Sequence, residues 1–313
     1  MKNNDKKFNF VFWGTPDVAS ETLEILKENG YMPSLIITAP DKPQGRKMII
    51  TPPPVKVWAM ENKIPYLQPE KLKKEEIWNA LGTLGRSDGD GQRKFSAENF
   101  RGEQSIPDFF LIDPKKIESL PDLFLVVAYG KIIPEDIINF PKFGSINIHY
   151  SLLPKYRGAS PVESAILNGD IETGVSIQKM EYKMDTGPVI AQEKIEIESD
   201  EKAGELRKRL IKIGGELLVK ILPDFVDGKA KLTPQDENKA TYCKKIKKED
   251  GEIDLNNNGV KNYNKFRAYT TWPRTFFFKN NKRIIITEAK LENGEFKILK
   301  VIPEGGKQIN YKN

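Results

Sequence analysis

The sequence is poor in the residues that build disulfides and metal sites. Its 313 residues include one cysteine, Cys243, and one histidine, His149. A single cysteine cannot form an intrachain disulfide, and no cluster of Cys and His at metal-ligand spacing is present. We therefore expect neither a disulfide framework nor a bound metal. The lone cysteine also favours a reducing, cytoplasmic setting over a secreted one.

Long hydrophobic runs are missing too. A membrane-spanning helix needs about 18 or more consecutive apolar residues, and the sequence has no such stretch. Residues 1–7, which precede the first apolar run, are polar and too few for a signal peptide. We expect a soluble protein with no membrane contact. Its length predicts about two domains.

A glycine-rich dinucleotide fingerprint is likewise absent. The first apolar run, residues 8–13, ends at Gly14-Thr-Pro-Asp17, and an amphipathic helical pattern follows over residues 18–27. Because this turn holds one glycine only, we predict no NAD or FAD site. Strand-like and helix-like segments continue to alternate up to about residue 226. This alternation predicts an α/β fold with a Rossmann-like, doubly wound, mostly parallel sheet.

Two stretches depart from that alternation. Residues 81–107 are rich in Gly, Ser, Asp, Arg and Gln without apolar periodicity, which predicts a mobile surface insertion that carries no chemistry. Residues 229–239 form a polar linker. After the linker the pattern changes to short β-like runs at residues 241–246, 276–278, 283–289 and 296–302. We therefore predict a first domain at residues 1–228 and a small β-rich domain at residues 240–313.

Positive charge is concentrated in the C-terminal third. Residues 1–200 hold 25 Lys+Arg against 29 Asp+Glu, whereas residues 201–313 hold 25 against 15, a net charge of +10. Such a basic segment indicates a polyanionic partner, with nucleic acid as the leading candidate and a merely solvated surface as the alternative. The same two interpretations apply to two groups of residues. They are Lys42, Arg46 and Lys47 in a long loop at residues 41–54, and Lys279, Lys282 and Arg283 at a predicted hairpin turn.

The chemistry is expected at the predicted strand 146–149. Side chains two residues apart on a strand share a face, so Asn147 and His149 project together while the two isoleucines between and before them face a core. With Asp185 downstream, two mechanisms are open. In the first, Ser151 is the nucleophile of a triad, but it lacks the flanking glycines of a nucleophile elbow. In the second, Asn147 stabilises an oxyanion while an amine attacks a carbonyl, and His149 and Asp185 manage the proton.

Several motifs carry a family resemblance. They are Asn147-Ile-His149, Ser151-Leu-Leu-Pro154, Arg157-Gly158, Gly174-Val and Met184-Asp185-Thr-Gly187, joined by Gly14-Thr-Pro-Asp17, Asp41-Lys-Pro-Gln-Gly-Arg46, Val127-Ala-Tyr-Gly-Lys131, Ala240-Thr-Tyr242 and Lys248-Glu-Asp-Gly251. Together they resemble the 10-formyltetrahydrofolate-dependent formyltransferases, and the second group resembles the branch that acts on methionyl-initiator tRNA. The resemblance runs from about residue 8 to residue 303, interrupted by the insertion.

The resemblance implies roles for individual residues. Asn147, His149 and Asp185 are implied to be catalytic. The cosubstrate is implied to be 10-formyltetrahydrofolate, held by Ser151, Leu152, Leu153, Pro154, Ala128, Tyr129 and Gly130. The C-terminal part is implied to be an OB-like β-barrel that binds tRNA with the loop of Arg46, and at 240–313 it is shorter than is typical of the family.

Other functions remain open alongside formylation of methionyl-initiator tRNA by an expected monomer. Relatives with this catalytic domain formylate glycinamide ribonucleotide or an amino-sugar nucleotide, or hydrolyse formyltetrahydrofolate. A basic second domain argues against the glycinamide ribonucleotide enzymes, which usually have one domain. A tRNA-binding protein without activity is the alternative from a different class.

Overall fold

The structure is a computed structural model that describes residues 8–45, 47–72 and 121–312. Arg46 and the insertion predicted at residues 81–107 lie outside the described residues. The chain divides into two compact units, residues 1–147 and 148–313.

The first unit contains parallel strands and an antiparallel pair. Its strands are β1 (Phe10–Gly14), β2 (Leu35–Ile37), β3 (Lys42–Gln44), β4 (Ile49–Thr51), β5 (Tyr66–Leu67), β6 (Leu123–Val127) and β7 (Ser145–His149), which crosses the boundary between the units. Strand β1 pairs in parallel with β2 and β6, β2 with β5, and β6 with β7, whereas the antiparallel pair is β3 with β4. Every residue of β1 and β6 is buried, as the continuous apolar runs in the sequence predict for central parallel strands.

Three helices of this unit lie between its strands. They are α1 (Asp17–Glu28), α2 (Pro54–Glu61) and α3 (Glu135–Ile138). In α1 the buried side chains, among them Ala19, Leu23 and Leu26, recur at the three- and four-residue spacing of one helical face. Pro54 at the first position of α2 suits a helix start, where no intrahelical N–H bond is needed.

The loop predicted at residues 41–54 is partly ordered instead as a hairpin. Strands β3 and β4 pair antiparallel, Lys42 opposite Thr51 and Gln44 opposite Ile49. The sequence predicted a long loop here without the hairpin, because five of these six strand residues are exposed and no apolar alternation marks them.

The second unit contains the remaining elements. Its strands are β8 (Arg157–Gly158), β9 (Glu172–Lys179), β10 (Val189–Glu196), β11 (Tyr242–Cys243), β12 (Phe276–Lys279), β13 (Lys282–Glu292), β14 (Glu295–Pro303) and β15 (Ile309–Asn310), and its α-helices are α4 (Pro161–Leu167), α5 (Ala203–Val226) and α6 (Gly259–Ala268). Strands β9 and β10 are antiparallel. The strand order of the sheet that includes β7 is β10-β9-β7-β6-β1-β2-β5.

Helix α5 approaches its strands closely at a glycine. A Cβ built on Gly214 would lie 3.1 Å from the Cγ2 of Ile148 and 3.2 Å from the Cγ1 of Val175. Glycine therefore lets the helix rest directly on the hydrophobic side chains of β7 and β9. Leu206, Leu210 and Leu218 of the same helix are buried.

The segment predicted as the first strand of the C-terminal domain, residues 241–246, pairs elsewhere. Within this segment Tyr242 and Cys243 form a strand, and they pair in parallel with Arg157 and Gly158 of β8. Local sequence cannot reveal such a partner, since it lies about 85 residues earlier in the chain. The prediction of a C-terminal strand at residues 241–246 is therefore corrected.

The C-terminal part is a four-stranded antiparallel sheet of order β12-β13-β14-β15. Helix α6, which the sequence did not predict, packs against it. The small core between them consists of Ile253, Phe266, Phe277, Ile286 and Val301. The predicted fold class, a Rossmann-like, mostly parallel sheet followed by a small β-rich domain, is confirmed.

Candidate active site

His149 lies at the end of β7 with both ring nitrogens facing named groups. Its Nε2 is 2.8 Å from the main-chain oxygen of Tyr156. A carbonyl oxygen only accepts, so in the neutral imidazole Nε2 carries the proton and Nδ1 does not. Nδ1 faces the Oδ2 atom of Asp185 at 3.7 Å, and both side chains are largely buried. The structure thus brings together two of the three residues expected to be catalytic.

The carboxylate of Asp185 is held by two donors. Its Oδ2 accepts the main-chain N–H of Gly158 at 2.8 Å, and its Oδ1 accepts Nε2 of Gln178 at 2.8 Å. Asp185 itself has a φ of +54°, a left-handed conformation that costs free energy for a residue with a Cβ. These contacts fix the position of the carboxylate group beside His149.

Asn147 occupies the position that the alternation predicts. Ile146 and Ile148 are 1% and 4% exposed, whereas Asn147 between them is half-buried. Two residues on, His149 points to the same face of the strand. Asn147 therefore presents an amide that donates hydrogen bonds at every pH.

The Ser151 hydroxyl is not hydrogen-bonded to His149 in this structure. It is fully buried, and its hydroxyl donates to the main-chain oxygen of Lys155 at 2.5 Å. The hydroxyl is committed to that carbonyl, while His149 contacts Tyr156 and Asp185. A triad with Ser151 as nucleophile therefore has no geometric support.

The main chain after Ser151 is pinned by two side chains of the neighbouring strands. The Leu153 N–H donates to Oγ of Ser176 at 3.0 Å, and its carbonyl accepts Nε2 of Gln192 at 2.9 Å. Leu152 and Pro154 remain half-buried. A fixed backbone that carries partly exposed apolar side chains can bind a flat ring system.

The other group expected to contact the folate follows β6. Ala128 and Gly130 have positive φ values of +47° and +81° and are exposed, while Tyr129 between them is 3% exposed. The Tyr129 carbonyl accepts the hydroxyl of Thr15 at 3.0 Å. Because Val126 of β6 pairs with Asn147, this turn follows β6 at the edge of the sheet where Asn147 lies.

The basic residues expected at a tRNA surface, where the structure describes them, lie on two hairpins. Lys42 and Lys47 are exposed on and beside the β3–β4 hairpin. Lys279, Lys282 and Arg283 surround the turn between β12 and β13, where Lys279 pairs with Lys282. This second turn is the hairpin that the sequence predicted.

Three residues that sequence reasoning gave no role lie at the site. Gln178 binds the Asp185 carboxylate, and Gln235 donates to the main-chain oxygens of Asp185 and Gly187. Arg157, 1% exposed, donates to Gln235. No signal marks Gln235 in the polar linker, since its partners lie 48 to 78 residues away.

The described residues contain neither a candidate metal site nor a membrane-spanning helix. No group of three or more His, Cys, Asp or Glu there is arranged to hold a metal ion. No helix in the same residues is long and apolar enough to cross a membrane.

Family comparisons match almost the whole chain. The family model "Formyl transferase" matches residues 6–222, and "Formyl transferase, C-terminal domain" matches residues 245–311. A curated relative named methionyl-tRNA formyltransferase, from Sulfurihydrogenibium sp. (strain YO3AOP1), is 38% identical over 281 residues. That alignment covers 90% of this chain and 79% of the relative.

Solved structures share the fold at low identity. WlaRD, described as a sugar 3N-formyl transferase in the presence of dTDP and 5-N-formyl-THF, matches with a TM-score of 0.62 at 18% identity, covering 97% of this chain and 99% of the other. A methionyl-tRNA formyltransferase from Clostridium thermocellum matches with a TM-score of 0.53 at 16% identity, covering 97% of this chain and 100% of the other.

Proposed function

The chain belongs to the formyl transferase family, and on that basis we propose that it formylates the free amino group of methionyl-initiator tRNA with 10-formyltetrahydrofolate as donor. The tRNA substrate is supported by the relative of that name, to which nine-tenths of this chain aligns. The folate donor is supported by the formyl-THF named for a protein of the same fold. The observation that carries the chemistry is the His149 Nδ1 atom facing Asp185 at 3.7 Å.

In this proposal Asn147 stabilises the oxyanion. As the amino nitrogen of the substrate bonds to the formyl carbon, the carbonyl electron pair moves onto oxygen, and the Asn147 amide donates to that oxygen. Such a donor contributes about 2.7–4 kcal/mol to the transition state. The formyl carbon then loses its bond to N10 of the folate, so one C–N bond forms and one breaks.

His149 and Asp185 handle the proton in this proposal. Because Nε2 donates to the Tyr156 carbonyl, Nδ1 carries no proton in the neutral ring and can accept the one that the amine must lose. Asp185 stabilises the resulting imidazolium across 3.7 Å. His149 then returns the proton to the departing N10, which leaves both protein groups as they began.

Binding surfaces complete the proposal. Leu152, Pro154, Ala128 and Gly130 contact the folate, while the buried residues Ser151, Leu153 and Tyr129 hold these two segments in place. Lys42, Arg46, Lys47, Lys279, Lys282 and Arg283 contact tRNA phosphates. A catalytic domain at 1–228, a linker at 229–239 and a tRNA-binding domain at 240–313 are supported by the two family models, whose matches end at residue 222 and resume at residue 245. We also propose a cytoplasmic monomer.

Kinetics of two alanine variants test the assignment. Asn147→Ala and His149→Ala each remove an interaction made mainly in the transition state, so kcat is expected to fall about a hundredfold or more while the KM for the folate changes little. The matched control is Asn139→Ala, at an exposed position after α3. Near-parent turnover in either active-site variant would refute its role.

The substrate is tested by giving the parent protein formyltetrahydrofolate with three acceptors in parallel. Release of the deformylated folate is expected to be fastest when charged initiator tRNA is the acceptor. Fast release with water alone would indicate a hydrolase, and transfer only to an amino-sugar nucleotide would favour the sugar formyltransferases, whose fold this chain shares. Binding of tRNA without any release would indicate a protein that only binds tRNA.

A further inference from the structure

One short segment contacts the supports of both His149 and Asp185. It comprises residues 235–243, which follow α5 and precede the C-terminal sheet, and it is called the connector here. Its sequence is polar and its only regular elements are a 3₁₀ turn at Glu237–Lys239 and strand β11. Nothing in that composition predicts a role in catalysis.

Gln235 of the connector uses its whole amide. Its Nε2 donates to the main-chain oxygens of Asp185 at 2.8 Å and Gly187 at 2.7 Å. Its Oε1 accepts Nε and Nη2 of Arg157 at 3.0 and 2.8 Å. Four hydrogen bonds fix the orientation of this side chain, since exchanging its oxygen and nitrogen would turn every one of them into a repulsion.

The turn at residues 185–187, which Gln235 holds, has a backbone conformation that few residues adopt. Asp185 has a φ of +54°, and a Cβ on Gly187 would lie 1.8 Å from the main-chain oxygen of Lys179. A backbone in such a conformation persists only where its surroundings hold it. Gln235 binds the carbonyls on both sides of Thr186 and so fixes the direction in which the Asp185 carboxylate points.

Arg157 in turn fixes Gln235. Its side chain is fully buried, and its Nη1 and Nη2 donate to the two carboxylate oxygens of Glu237 at 2.9 and 2.6 Å. The hydrogen bond to Arg157 lowers the pKa of Glu237. Tyr242 closes the group, with its ring centre 6.0 Å from the guanidinium carbon. A buried charge paired in this way holds one geometry.

The connector also holds the group that orients His149. The Tyr156 N–H donates to the hydroxyl of Thr241, and the Arg157 N–H donates to the Thr241 carbonyl, both at 2.8 Å. Those bonds place the Tyr156 carbonyl, the acceptor for Nε2 of His149. Cys243 donates to the same carbonyl at 3.3 Å. The two halves of the proton-handling pair are thus set from one segment.

We propose that Gln235 is a positioning residue that sets the Asp185 carboxylate against His149 through its hydrogen bonds to Asp185 and Gly187. This inference rests on the proposed function, because it takes Asp185 and His149 as the proton-handling pair. A displacement of about 1 Å in such a pair can lower a rate about a hundredfold. The effect of losing Gln235 is expected on kcat, since the hydrogen bonds of its side chain go to Arg157, Asp185 and Gly187.

Two substitutions separate the two sides of the amide. Gln235→Glu keeps an oxygen acceptor for Arg157 but has no N–H for the carbonyls of Asp185 and Gly187, whereas Gln235→Ala loses both sets of bonds. Both are expected to lower kcat about 10- to 100-fold, with KM for folate and for charged tRNA within about threefold of the parent. The matched control is Asp236→Asn, whose exposed side chain contacts Asn238 and Lys239.

A second readout does not depend on the substrate. His149 is the only histidine, so protein labelled with ¹⁵N-histidine gives one imidazole signal pair. If Gln235 positions Asp185, the Nδ1 shift moves in Gln235→Glu and Gln235→Ala and stays at the parent value in Asp236→Asn. A residue that is merely structural would lower the melting temperature without moving this shift in the folded protein.

The outcomes distinguish this inference from the proposed function. If the parent transfers formyl groups and both Gln235 variants keep kcat within threefold and an unchanged Nδ1 shift, the positioning role is refuted. If the parent transfers none, the proposed function fails, and the Nδ1 shift alone then decides whether Gln235 places Asp185 beside His149. A variant that raises KM at unchanged kcat would also overturn the inference, because Gln235 would then act in binding.

Discussion

The turn between β12 and β13 carries positive charge that is free to bind a polyanion. Asn280 and Asn281 have φ values of +52° and +59°, which suit a tight two-residue hairpin turn. Lys279, Lys282 and Arg283 flank it without an ion pair to any residue that the structure describes. The guanidinium of Arg283 lies 3.8 Å from the centre of the Phe276 ring, which restrains it.

Three lysines on β13 and β14 of the same sheet are neutralised instead. Lys290 and Lys297 both bind the carboxylate of Glu292, and Lys300 binds that of Glu288. The side chains of these lysines are between 40% and 47% exposed. They form a matched control. Replacing them also removes three positive charges, but each of these lysines already binds a carboxylate.

We predict that changing Lys279, Lys282 and Arg283 together to Gln weakens tRNA binding and reduces its dependence on salt. Each phosphate contact contributes about 0.7–0.9 to the slope of log K against log salt, so three contacts contribute about 2–3. Between 50 and 200 mM salt, the variant should therefore lose roughly 20- to 40-fold less affinity than the parent. The KM for the folate should not change.

Equilibrium binding of charged tRNA at three or more salt concentrations measures the slope. The control with Lys290, Lys297 and Lys300 changed to Gln should flatten it far less, although its net charge falls equally. An unchanged slope in the Lys279, Lys282 and Arg283 variant would remove the hairpin from the tRNA surface. Equal flattening in both variants would show that the effect comes from net charge and not from contacts at this turn.

Two further predictions concern the support of the site. ¹⁵N NMR of the histidine at a pH where its ring is neutral should show the Nε2–H form, because Nε2 faces the Tyr156 carbonyl; an Nδ1–H form would contradict that hydrogen bond. Gly158→Ala should lower the free energy of unfolding by at least about 2 kcal/mol more than Gly228→Ala in thermal denaturation, since both have positive φ but only the first places a Cβ 2.2 Å from the Cys243 carbonyl. Equal losses would show that β8 and β11 separate easily.

Local pattern was enough to predict most of the first sheet. The apolar runs that form β1 and β6 are buried along their whole length. A continuous apolar run in a sequence is typical of a central strand or a buried helix. In β7, isoleucine alternates with Asn147 and His149, which predicted a strand with one apolar and one polar face. Each of these inferences depends on residues within a few positions of one another.

Elements with little apolar content were the ones that local pattern missed. Helix α6 has only a few buried apolar side chains, such as Phe266 and Ala268, and it is stabilised by packing on the C-terminal sheet. The hairpin of β3 and β4 is mostly exposed. Segments of this kind are decided by tertiary contacts, because propensity alone differs too little between the alternatives.

The sequence by itself determined the fold class, the shared face of Asn147 and His149, and the motifs that place the chain in its family. Only the tertiary structure decided what holds Asp185, since Gln235 lies 50 residues from Asp185 and 78 residues from Arg157. The physical reason is the distance along the sequence over which each kind of interaction acts. Side-chain periodicity reports which face of a segment is buried, whereas a hydrogen bond between distant residues depends on how the whole chain folds back on itself.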